Sequence, residues 1–324
     1  MITNYPSAGT ANVFTNQVVD SGMQHFVGSR LVRMLTTQES ATNNVDQAFQ
    51  SGTTVNIKVK PFRAGQVLTD MSTNLTTSGL QYGNVPVTLD YVFGDSISVA
   101  PADQIALNDG GLNAMTEATE LAIQGALNKY ESTMVNNIRT VAGVQANLGT
   151  SGNAITFATI QACRTNNPEL PAGHEINILC DAGTFGEISR LSEVIDMQKL
   201  TSASEYVPGE IYLGGALNIR IMQHNYYTPK VGATDPKFTA FAAGSFVAPL
   251  RTSGVIDPTN QRLVTVPDQQ IAVLLSMSST RLAGSHSRII DSQVLSGFNK
   301  FTPQMTSGST TLGKYFIQHC VGGL

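Results

Sequence analysis

Between residues 112 and 141 apolar side chains return at steps of three or four: Leu112, Met115, Ala118, Ala122, Ala126, Tyr130, Met134, Ile138 and Val141. Glu117, Glu120, Lys129, Glu131 and Arg139 populate the other faces. A 3.6-residue period predicts an amphipathic helix over 113–141. At 1.5 Å per residue it would run roughly 40 Å, whereas helices in globular domains average about 11–12 residues.

The segment before it has a period of two. Val55, Ile57 and Val59 alternate with Asn56, Lys58 and Lys60, and a second alternation runs through Val85, Val87, Leu89, Tyr91 and Phe93. Both read as half-exposed strands that pair into one long hairpin. The stretch between them, Phe62 to Asn84, is polar and rich in Gly and Thr. That is too long for an ordinary turn. A hairpin alone is marginally stable in water, so this one needs a surface to lie on.

The rest of the chain is organised more finely. Residues 1–50 read as a polar arm with a short or broken helix near Phe14–Leu35, where Gly22 and Gly28 interrupt the pattern. Residues 51–100 hold the hairpin and its stem, and 101–152 the long helix and a Gly/Asn/Thr/Ser linker. Thr156 is placed to cap a helix through Arg164, stopped by Pro168 and Pro171. Ile176–Cys180 reads as a buried strand, and Asp181 or Thr184 caps a helix to about Leu191. Two short strands flank Gly214-Gly215. Strand and helix alternation over 153–237 suggests a small α/β domain. From 238 to 324 strands return, with candidates at Arg262–Val266, Ile271–Leu275 and Tyr315–Val321. The fold class read from this order is α+β.

Composition limits the function. Of 324 residues only 13% are charged, roughly half the usual share; neutral polar side chains suit close contact between subunits, where charge would resist desolvation. Net charge is −4 and no basic run occurs, so no footprint for nucleic-acid binding is present. Cys163, Cys180 and Cys320 are an odd number, which predicts free thiols in a reducing compartment and no disulfide framework. The N-terminus lacks a basic n-region and an apolar h-region, and no apolar stretch approaches roughly 18 residues; neither secretion nor a membrane partner is expected.

A search for chemistry finds no catalytic, cofactor-binding or metal site, and no cofactor is expected. His174-Glu175 opens like H-E-x-x-H, but Ile178 stands where the second His must be. His25, His224, His286 and His319 are isolated. No G-x-S-x-G, G-x-x-x-x-G-K-[ST] or strand-following G-x-G-x-x-G occurs. Asp90, Asp95 and Asp103 flank turns and a helix start, where Asp serves local roles.

The ordered combination resembles the fold shared by major capsid proteins of tailed bacteriophages, the HK97-like capsid fold. Thr53–Val59 through Asp90–Asp95 resembles the extended hairpin called the E-loop with its stem. Asn113–Val141 resembles the spine helix of the peripheral domain, and Phe157–Arg164 with Ile176–Cys180 the opening of the axial domain. The resemblance implies a non-enzymatic shell subunit. It would form homo-oligomeric hexamers and pentamers of an icosahedral particle enclosing double-stranded DNA, made in the host cytoplasm and carried in the virion.

It also implies a portal and, in some members, a decoration protein. Some members carry a cleaved N-terminal scaffolding segment; with the hairpin beginning near residue 53 none fits here, so a separate scaffolding protein is expected. Other members cross-link through a Lys in the hairpin tip. Phe62–Asn84 contains no Lys, only Arg63 and Asp70 as charges, so a non-covalent shell is expected. Lys58, Lys60, Phe62, Arg63 and Asp70, with Glu117 and Glu120 on a neighbour's helix, are the candidate inter-subunit contacts. Two other readings are an encapsulin-like nanocompartment shell and a cytosolic enzyme whose site leaves no mark in the sequence.

Overall fold

The predicted 113–141 helix is observed as α1, Ala114–Thr140. A computed structural model of the chain describes residues 54–61, 83–103, 105, 114–142, 144, 146–168, 170, 173–199, 209–229, 231–248, 261–265, 272–282, 285–300, 304–305 and 316–322. The helix expected near Phe14–Leu35 and the hairpin tip lie outside the described residues.

Helix α1 lies between two sheets. The first is four-stranded, in the order β10 (Gln261–Thr265), β11 (Ala272–Leu282), β12 (Ser285–Ser296), β3 (Tyr91–Val99), with antiparallel neighbours throughout. The second is six-stranded: β4 (Ala146–Leu148), β15 (Ile317–Cys320), β8 (Phe238–Ala242), β5 (Ile176–Cys180), β7 (Ile219–Gln223), β6 (Glu210–Leu213). It is mixed: β5 pairs parallel with β7 and β15 parallel with β4, and the remaining pairs are antiparallel.

One apolar cluster joins α1 to both sheets. Ile123, Leu127, Tyr130, Met134, Val135 and Ile138 of α1, all with no exposed surface, meet Phe93, Val273, Leu275, Ile290 and Val294 of the first sheet and Leu179, Met222, Phe241 and Ile317 of the second. Tyr130 stands edge-on to Phe93 at 5.5 Å between ring centroids. Each fully buried side chain of this size is worth about 1.5–3 kcal/mol. Packing therefore holds the helix in place, and the polar contacts described below select its register and tilt.

The other face of the six-stranded sheet carries a second core under α2 (Phe157–Thr165), α3 (Ala182–Ser189) and α4 (Ser192–Lys199). Ile160, Cys163, Ile188 and Val194 pack there on Ile178, Cys180, Phe238 and Cys320. The helix starts are as expected. The Thr156 side chain accepts from the Thr159 N–H, and Asp181 accepts from Gly183 and Thr184. Strand β5 is buried at every position, the pattern of a strand covered on both faces.

Three expectations need correction. The second alternation is two strands: β2 (Gly83–Thr88) pairs with β1 (Thr54–Pro61), and β3, after Leu89-Asp90, pairs with β12. The alternation keeps its phase across the break, so side-chain pattern alone cannot reveal a change of partner. The strand expected to end at Leu275 continues to Leu282 and is followed by twelve-residue β12. Glu131, read as belonging to a polar face, is buried, with 7% exposure. Helix α4 follows α3 without having been anticipated.

All three cysteines are free and buried. Burial pushes the Cys163 and Cys180 thiols up from their ordinary range, away from the reactive thiolate. The native protein should consume almost no disulfide reagent over minutes and three equivalents once unfolded in guanidinium. Fast reaction of any native thiol would contradict the packing described.

Candidate functional site

The hairpin stem does not stand alone. On one edge β1 pairs antiparallel with β2, in the register Val55↔Val87, Ile57↔Val85 and Lys58↔Asn84. On its other edge β1 pairs in parallel with β14 (Gln304–Met305), where Lys60 is opposite Gln304 and Pro61 opposite Met305. On β2, Val85 and Val87 are buried while Asn84, Pro86 and Thr88 are exposed. Pro86 donates no hydrogen bond, and its carbonyl accepts from Asn299 Nδ2 at 2.6 Å. A proline and a capped carbonyl blunt this edge against further strand pairing. Lys58 and Lys60 thus lie on the central strand of the stem. Phe62, Arg63 and Asp70 fall outside the described residues.

Glu117 and Glu120 lie on the first turns of α1, both half-buried. Glu120 Oε1 accepts from Gln124 Nε2 one turn on, at 3.3 Å. The acidic first turn complements the helix dipole. In the next turn Ser292 Oγ of β12 donates to the Ala122 carbonyl at 2.6 Å. Asp95 of β3 lies against Gly125: a Cβ there would be 2.0 Å from its Oδ2. A serine and a glycine therefore let the sheet approach the helix backbone closely.

The second half of α1 is fastened to the six-stranded sheet by polar groups. Tyr226 N–H donates to His224 Nδ1 at 3.2 Å, which places the ring proton on Nε2, 2.9 Å from Glu131 Oε1. Both residues of this pair are buried. Arg139 reaches Asp235 at 3.6 Å. Beyond the helix, the Val141 carbonyl accepts from His319 Nε2 at 3.3 Å, and His319 Nδ1 meets Thr239 Oγ1 at 3.1 Å. Thr239 Oγ1 in turn meets the Tyr227 hydroxyl at 3.0 Å. Sequence reading missed this cluster because its members are scattered from Glu131 to His319 and none belongs to a spaced motif.

His174, the one residue of a metal-binding motif, has its Nε2 2.9 Å from the Ala243 carbonyl, and its own carbonyl accepts from Arg164. Asp95 Oδ1 accepts from Ser96 N–H and Asp103 Oδ2 from Ala100 N–H, the local roles expected of them. Among the described residues no three His, Cys, Asp or Glu side chains converge as a metal site, and no helix is long and apolar enough to cross a membrane.

No protein-family model matches the chain, and no curated protein matches it. Solved structures do. A structure from Mycobacterium phage Che8 superposes with a TM-score of 0.55 at 12% identity, covering 86% of this chain and 88% of that one. The capsid structure of the cyanophage P-SCSP1u gives 0.54 at 13%, covering 99% of both chains. The acid-stable capsid of the Helicobacter pylori bacteriophage KHP30 gives 0.54 at 13%, covering 83% and 85%. The chain has the HK97-like capsid fold. Within that fold α1 is the long helix and β1–β2 the hairpin stem. At this level of identity the likeness is one of backbone arrangement.

Proposed function

We propose that this chain is the major capsid protein of a tailed bacteriophage, a structural subunit without catalytic activity that builds the wall of the virion. The observation that supports the reading best is the extent of the likeness: 99% of the chain aligns with 99% of the cyanophage capsid chain. In this reading the four-stranded sheet, β1–β2 and α1 form the E-loop and peripheral domain, and the six-stranded sheet with α2–α4 forms the axial domain. Residues 51–100 carry the hairpin, 101–152 the spine, 153–237 the axial domain, and 238–324 return to both.

Hexamers and pentamers then close an icosahedral shell around double-stranded DNA, with a separate scaffolding protein and a portal as partners during assembly in the host cytoplasm. The weak negative charge suits a wall that does not bind DNA by sequence. The hairpin lies across a neighbouring subunit, with Lys58, Lys60 and Arg63 facing acidic groups such as its Glu117 and Glu120. Exposed pairs are worth only about 0–1 kcal/mol each, but every subunit repeats them. Negative-stain microscopy of the concentrated purified chain tests the proposal: rings of five and six subunits or closed polyhedral particles are expected, and a monomer at every concentration would refute it.

A further inference from the structure

Strand β3 ends the four-stranded sheet. It pairs with β12 along one edge, and among the described residues no strand pairs with the other. That free edge is nine residues long, and Val92, Gly94, Ser96 and Ser98 lie open to solvent along it. A long edge with small, uncharged side chains is a template for pairing with another chain. A single carboxylate interrupts it. The Asp95 carbonyl points toward β12, where it meets Ser292 Oγ at 3.4 Å. Across a trans peptide the next N–H points the opposite way, so the Ser96 N–H faces outward, and there it donates to Asp95 Oδ1 at 2.8 Å. Residues two apart in a strand direct their backbone groups alike, so Val92, Gly94 and Ser98 also face outward and Asp95 blocks the row near its middle. We propose that the Asp95 carboxylate guards the free edge of β3, keeping a second copy of this chain from pairing with it strand to strand.

The fold makes room for this carboxylate. Asp95 faces α1, and a Cβ at Gly125 would lie 2.0 Å from its Oδ2 and 2.7 Å from its Cγ. A glycine on the helix thus leaves the notch in which the side chain turns back to its own strand edge. Asp95 is also the one charged residue of Tyr91–Val99. An incoming strand must take the Ser96 N–H from an ionised acceptor, and such hydrogen bonds are roughly twice as strong as neutral ones. Two copies of one edge meet most simply in a two-fold contact, here with the strands antiparallel. That contact brings both Asp95 carboxylates to the same side of the joined sheet, where like charges across strands are destabilising. The carboxylate therefore acts twice, by holding the N–H and by its charge. The inference does not rest on shell assembly.

The test compares the full-length wild type with Asp95→Ala and Asp95→Asn, by sedimentation velocity over a concentration series and by hydrogen exchange of the associated material. Asp95→Ala should associate at a concentration about tenfold lower than the wild type, the worth of one hydrogen bond to a charged group. Exchange over 92–98 should slow in its associated fraction. Asp95→Asn keeps an acceptor and loses the charge, so it should fall between the two. Any particles that the wild type forms should leave exchange over 92–98 as fast as in single subunits. Slowed exchange there in wild-type particles overturns the proposal, and so does association of Asp95→Ala at the wild-type concentration or without slowed exchange over 92–98. Should Asp95→Ala fail to fold, Asp95→Asn decides, and association no tighter than that of the wild type overturns the proposal.

Discussion

Replacing Gly297 by alanine should cost the chain its fold, or leave a protein with a far lower denaturation midpoint. A Cβ at this position would lie 2.2 Å from the Thr88 carbonyl oxygen and 3.0 Å from its carbon. Both are backbone atoms at the end of β2, which no rotamer change can move aside. The contact is also a joint. Ser296 closes the β12–β3 ladder opposite Tyr91, Phe298 stacks on Phe246 at 5.4 Å, and Asn299 holds the Pro86 carbonyl. A methyl group forced in here pries the hairpin stem from the body. Ordinary overpacking costs about 1–3 kcal/mol, and this site should exceed that range, out of a total stability of about 5–15 kcal/mol. Gly186, inside α3 with nothing within 4 Å of its would-be Cβ, is the control: Gly186→Ala should stabilise by up to about 1 kcal/mol. Urea titration of both variants checks the contrast. A Gly297→Ala protein as stable as the wild type would show that the stem does not meet the body in this way.

The elements that sequence reading found are those whose pattern is carried by apolar side chains. Helix α1 is bounded within one residue because its stripe is Ala, Ile, Leu, Tyr and Met from end to end. Strand β5 is short but wholly apolar apart from Asn177, helix α2 starts at the Thr156 read as its cap, and helix α3 starts at Asp181, one of the two caps, with Thr184, that the sequence offered. Strand β12 stayed hidden for a physical reason. Its buried face reads Ile290, Ser292, Val294, Ser296, and two serines in a buried row look like surface. Ser292 is tolerated there because its hydroxyl donates to the Ala122 carbonyl of α1. A serine buried to satisfy a helix carbonyl cannot be told from a solvated one until the helix is placed beside it.

The break between β2 and β3 was illegible for the opposite reason, since its pattern was too regular. Val85, Val87 and Phe93 are buried in one unbroken phase, yet Val87 pairs with Val55 and Phe93 with Val294. Partner choice depends on residues about thirty positions away in one case and about two hundred in the other, as the paired numbers show, and alternation is silent about both. The same holds for the fastening of α1. The Glu131–His224 and Arg139–Asp235 pairs and the Val141–His319–Thr239 chain form only because β7, β8, β15 and the segments beside them bring distant residues to the second half of the helix. The fold was readable through the order hairpin, long helix, small α/β domain and returning strands, whereas the mixed pairing of the six-stranded sheet and the contacts to α1 belong to the tertiary structure.

Excising the hairpin tip should separate folding from assembly. Residues 62–84 contain Arg63 and Asp70 as their only charges and no run of core-forming side chains, so on their own they bury too little apolar area to offset the entropy of ordering. The stem has its own support. Its six-pair ladder runs from Thr54↔Thr88 to Val59↔Gly83. Thr54 and Thr88 meet through their hydroxyls at 3.1 Å, and β14 holds the outer end at Lys60 and Pro61. Replacing Gly65–Tyr82 with Asn-Gly spares every one of these contacts and leaves a connection of seven residues, Lys60–Ala64 and Asn-Gly, across the last pair Val59↔Gly83. Loop shortening itself is inexpensive, since closure entropy changes by about 0.6 kcal/mol per doubling of length. The variant should therefore be soluble, with a denaturation midpoint close to the wild type, and should give rings or single subunits in place of closed particles. Charge reversal of Lys58 and Lys60 together should weaken assembly without abolishing it, and raised salt should weaken assembly of the wild type in the same direction. Closed particles from the excised variant at the wild-type yield would remove the hairpin from the assembly surface and leave the stem as a purely internal element of the fold.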